Sequence, residues 1–166
     1  MINSTFQQKF NNLNTTGIKA TTTTEKGQSF ERVQLPDKNR NYTLVDKKKV
    51  DFYVNQGEKA LPQLDNILKN SKDEGEVTET LYIVDQMIDK GVKGVDKMYP
   101  TLSKYNDTKS PNVQTFLAGI YRKTKVPDAF GPLVKMLIQD SINPPKSPQA
   151  FDPTEEVGGA ILSYLA

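Results

Sequence analysis

Three short phrases, Ala60-Leu61-Pro62-Gln63-Leu64, Met98-Tyr99-Pro100-Thr101-Leu102 and Phe130-Gly131-Pro132-Leu133-Val134, carry a proline at the same point between apolar residues. Successive prolines lie 38 and 32 residues apart. A self-similar phrase at that period marks stacked helical hairpins, in which each unit buries its apolar face only by leaning on its neighbours. This constrains the fold far more than the function, because repeat scaffolds serve many unrelated tasks.

The apolar pattern around these phrases agrees. From about Lys47 onward apolar residues recur at i, i+3, i+4 and i+7, which predicts seven amphipathic helices. They are expected at about Lys47 to Gln56, Glu58 to Asn70, Gly75 to Lys90, Val92 to Tyr105, Pro111 to Thr124, Pro127 to Asp140, and from near Pro153 to the end of the sequence. Gly57 and Gly91 break the first two pairs, and Pro111 and Pro127 fit the first helical position, where a missing N–H costs nothing. Each repeat proline falls near the second turn of a second helix, where it removes one ladder bond and bends the helix. The helices pair as a first-then-second hairpin repeated three times, followed by a lone first helix.

Residues 1–46 read differently. They are rich in Asn, Thr, Gln and Lys, and the run Thr21-Thr22-Thr23-Thr24 offers nothing to bury, which predicts a polar, mobile segment. Phe6, Phe10 and Leu13 recur at helical spacing, and Phe30, Val33 and Leu35 suit a short extended stretch ahead of Pro36. The chain thus divides into a lead, 1–46, and a helical repeat domain, 47–166.

The phrase Ala60-Leu61-Pro62-x-Leu64-x-x-Ile67-Leu68, followed after an acidic turn by Val77, resembles the HEAT-like repeats of the armadillo-type superhelix. Ser110-Pro111-Asn112-Val113-Gln114, after Pro100 and Leu102, is similar to that family's Asp-Pro-x-Val-Arg turn. Thr78 and Gln114 stand where the family has Arg, and the helix faces at Leu81, Tyr82, Ile83 and Val84 are bulkier than its alanine-rich ones. The resemblance covers the chain from Lys47 on. It implies an all-α fold, a right-handed α-α superhelix of about three and a half hairpins, and a role as a non-enzymatic scaffold for other proteins. In that architecture second helices line the concave face, which assigns partner binding to Gln63, Asn66, Lys97, Thr101, Lys104, Lys135 and Gln139. That face is polar and modestly basic, so an acidic protein or peptide is the expected partner.

Composition excludes several chemistries. The chain has no Cys and no His, so thiol nucleophiles, disulfides, zinc thiolate sites and histidine bases are absent. Residues 1–56 carry a net charge of +4 and residues 57–166 a net −2, which leaves the repeats without the basic stripe that duplex DNA demands. No apolar stretch reaches bilayer length, and the first residues show no basic n-region followed by an apolar run; a soluble cytoplasmic protein is expected.

The remaining motifs yield no cofactor, metal or catalytic assignment. Tyr121 and Lys125 stand four apart, the spacing short-chain dehydrogenases use to activate a tyrosine, but the glycine fingerprint for a nucleotide is missing. They read as a core tyrosine followed by cations at a helix C-terminus. The acidic runs Asp73-Glu74-Gly75-Glu76 and Asp152-Pro153-Thr154-Glu155-Glu156 lack calcium-loop spacing and read as helix caps. Asn143-Pro144-Pro145-Lys146-Ser147-Pro148 reads as a stiff spacer. Two rival functions remain: a small-molecule-binding protein or enzyme using Tyr, Lys and carboxylates, and a weak nucleic-acid binder using Lys47, Lys48, Lys49 and the Arg122 to Lys125 cluster. Ile161, Leu162, Tyr164 and Leu165 on the lone last helix suit self-association.

Overall fold

The computed structural model describes residues 19–23, 29–35, 43–143 and 153–166, with side-chain environments from Val45 onward. Most of these residues are helical, as the apolar periodicity predicts. The helices are α1 (Lys47–Gln56), α2 (Leu61–Asn70), α3 (Glu74–Asp89), α4 (Tyr99–Leu102), α5 (Pro111–Thr124), α6 (Phe130–Ile142) and α7 (Thr154–Leu165). The helical reading of Phe6 to Leu13 and the proline-rich spacer beyond Asn143 lie outside the described residues.

Capping explains why the boundaries fall where they do. Asp46 accepts hydrogen bonds from the Lys48 and Lys49 amides, Asp73 from the Gly75 amide, and Ser110 from the Val113 amide. Each side chain satisfies amides that a helix start leaves without partners. The second helices start in another way. Gly57–Ala60, Val95–Met98 and Pro127–Ala129 each form a 3-10 turn before the α-helix begins. Pro62 and Pro100 sit within the first two α-helical positions and Pro132 one position later. The repeat prolines therefore mark the switch from 3-10 to α geometry, where a proline costs little, instead of bending an established helix. Three positive φ values turn the chain into these segments, at Gly57 (64°), Gly94 (94°) and Lys125 (54°).

Packing separates the helices into two sets. The odd-numbered helices form a series, with α1 against α3, α3 against α5 and α5 against α7. The even-numbered ones lie to the side, α2 against α3 and α4, and α6 against α7. Helix α3 is central and is buried continuously from Val77 to Met87. Its neighbours contribute Leu64 and Leu68 from α2, Leu117 and Ile120 from α5, and Val157 and Ala160 from α7 to one continuous core.

Within the lead, where the sequence predicts a mobile segment with one extended stretch, three strands pair. They are β1 (Lys19–Thr23), β2 (Ser29–Leu35) and β3 (Thr43–Asp46), in an antiparallel sheet of order β1-β2-β3. Lys19 stands opposite Val33 and Arg32 opposite Asp46. Thr21, Thr22 and Thr23, from the run read as offering nothing to bury, are β-branched and suit a pleated strand. Strand β3 passes directly into α1 and packs on α3, so the sheet is joined to the helices through Asp46.

Candidate functional site

Two regions hold the polar chemistry. The first is the outer surface of the even helices. Gln63 and Asn66 on α2, Lys135 and Gln139 on α6, and Lys97 and Lys104 in the 3-10 turns on either side of α4 are all exposed. Gln63 donates to the Tyr53 hydroxyl at 3.2 Å, and Lys135 pairs with Asp107 at 2.8 Å in full view of solvent. Thr101 is a correction: it is buried, at 3% exposure. Helix α4 is a single α-turn between 3-10 turns, so its register differs from that of a continuous helix, and Thr101 faces α2. There its hydroxyl hydrogen-bonds Asp65. Partial burial raises the Asp65 pKa, but hydrogen bonds from Lys69 and Thr101 outweigh it and hold the carboxyl below the usual carboxylate range.

The second region lies inside, along α3, and sequence reading missed it. Glu79, 1% exposed, receives Lys49 Nζ at 2.6 Å and the Asp46 amide at 3.3 Å, tying the sheet and α1 to α3. Two turns on, Asp85 receives Lys123 Nζ at 2.8 Å from α5, and the same ammonium reaches Asp89 at 2.9 Å. Burial pushes the Asp85 carboxyl up to about 6, against the pull of Lys123 and with the push of Asp89 and Glu156. A β-carbon on Gly119 would come within 3.3 Å of Asp85 Oδ1, so α5 approaches α3 closely at this point. Tyr82, nearby on α3, is held neutral, first by burial and then by Asp85, Asp89 and Asp51.

These ion pairs have a bearing on the rival functions. Lys49 and Lys123, central to the two basic runs, are engaged with carboxylates. Tyr121 and Lys125 do not act together: the Tyr121 hydroxyl donates to Asn106 Oδ1 at 2.6 Å, and Lys125 Nζ donates to the Ser163 carbonyl at 2.7 Å. Asp85, whose proton affinity burial raises, is 2% exposed. Among the described residues no group of three or more Asp or Glu side chains is placed to hold a metal ion, and no helix is long and apolar enough to cross a membrane.

A signal for the interior charges was available. Leu81-Tyr82-Ile83-Val84 puts four large apolar residues in succession on one helix, which means burial on every side and forces the neighbouring Glu79 and Asp85 inside. No family model, no curated protein and no solved structure matches this chain.

Proposed function

We propose that the chain is a cytoplasmic protein-binding scaffold built as a HEAT-like, right-handed superhelical stack, with the outer surface of α2, α4 and α6 as its recognition face. The observation that carries this reading is the division of labour between the helix sets. The odd helices pack on one another in series, while the even helices and the 3-10 turns flanking α4 keep Gln63, Asn66, Lys97, Lys104, Lys135 and Gln139 at the surface. An extended polar strip with three lysines suits an acidic protein or peptide, steered by charge and held by contacts along the strip.

The test is affinity capture with the wild type, a Lys97→Glu/Lys104→Glu/Lys135→Glu variant, and a control variant, Lys48→Glu/Lys90→Glu, altered away from the strip. Proteins retained by the wild type and the control but lost by the strip variant support the reading. An unchanged set overturns it, as does strong thermal stabilisation by a nucleotide or metabolite. Self-association through α7 belongs to the same proposal. Leu162 and Leu165 are 67% and 69% exposed, whereas Ile161 and Tyr164 pack against the core. A solution mass that stays monomeric at all concentrations would remove that part.

A further inference from the structure

We propose that Asp85, buried in the α3–α5 seam with one ammonium shared among several carboxylates, makes that seam pH-sensitive: the seam holds best when Asp85 is protonated and depends on Lys123 when Asp85 is ionised. The basis is the arrangement of charges. One ammonium is shared between two carboxylates, at 2.8 Å and 2.9 Å, and a third carboxylate, Glu156, faces the pair from α7. From α3 itself come Asp89 and Tyr82, from α5 Lys123, and from α1 Asp51, which acts on the Tyr82 hydroxyl. Arg122 is the second cation of α5, and it is turned to the α7 backbone, where a β-carbon on Gly159 would lie 3.1 Å from its guanidinium.

The two carboxylates that share Lys123 are not equivalent. The Asp85 side chain is 2% exposed and that of Asp89 is 24% exposed. The Asp85 carboxyl is shut away from water and faces Asp89 and Glu156 with one shared ammonium, so a proton is drawn to it. In the ionised state a desolvated carboxylate faces two like charges with half a partner. The sign follows from linkage. Because folding raises the proton affinity of Asp85 from its ordinary 3.8 to about 6, its stabilising contribution is complete in acid and is lost as pH rises through about 6. The seam is therefore less stable at neutral than at mildly acidic pH.

Urea unfolding of the wild type, Asp85→Asn and Lys123→Met at pH 5 and pH 7.5 tests the proposal. The wild-type unfolding constant, taken relative to that of Asp85→Asn, should rise about tenfold from pH 5 to 7.5. Lys123→Met should cost more at pH 7.5, where Asp85 needs a counter-ion, than at pH 5. Parallel pH profiles for the wild type and Asp85→Asn would overturn the proposal, since a merely structural ion pair predicts them. Should a variant fail to fold, carboxyl carbon NMR of the wild type decides: an Asp85 midpoint above pH 5 supports the proposal, and one at or below pH 5 overturns it.

Discussion

Helices α3 and α6 solve opposite problems. Helix α3 is buried around its whole circumference and carries Glu79 and Asp85 inside, each held by a lysine from a different helix. Helix α6 buries Leu133 and Met136 on one side and leaves Ile138 and Ile142 half or more exposed on the other. The difference teaches where each property resides. Stability is concentrated along α3, where any change meets packed atoms, and freedom to vary on the outer side of α6, where side chains meet water.

Substitutions can break or sharpen that contrast. The largest effect is expected in the centre: Leu81→Ala and Leu117→Ala, both at fully buried sites, should each cost about 2–5 kcal/mol, whereas Ile138→Ala should stay within about 0.5 kcal/mol. Urea denaturation reads both, and similar losses would erase the distinction. Next, Lys49→Met strands the Glu79 carboxylate and should cost about 2–4 kcal/mol, most of it recovered when Glu79→Leu is added. A double variant no better than the single one would show that the pair is needed for itself. Smaller again, Tyr121→Phe should cost about 1 kcal/mol through its lost bond to Asn106. At the bottom, Lys135→Ala should leave the melting temperature unchanged, because both partners of its bridge to Asp107 are solvated.

Much of the helical architecture was legible because its punctuation is local. Asp73, Ser110-Pro111 and Gly57 act within a turn of where they stand, so the edges of α1 and α5 fall where the residues place them. Two features were not legible for one physical reason, namely that they depend on distant partners. Lys49 and Glu79 are 30 residues apart and Asp85 and Lys123 are 38 apart, so neither bridge leaves a trace in any local window. The burial of Thr101 likewise depends on Asp65 in another helix and on α4 dissolving into 3-10 turns. The exposure of Gln63, Asn66, Lys97, Lys104, Lys135 and Gln139 was legible residue by residue.

The tyrosines that link successive units have a consequence of their own. Tyr105 donates to the Leu68 carbonyl, Tyr99 to the Asp128 carbonyl at 2.9 Å, and Tyr164 to the Val126 carbonyl at 2.7 Å. In every case the acceptor is main chain, which each amino acid supplies alike. Such a joint is blind to what the neighbouring residue is and sensitive only to where its backbone runs. The hydroxyls therefore hold these three joints without reading the side chains at positions 68, 126 and 128, although Leu68 is fixed separately by its burial in the core. In this molecule three phenols act as rulers for the backbone, while at Leu68 the core decides which side chain the marked position carries.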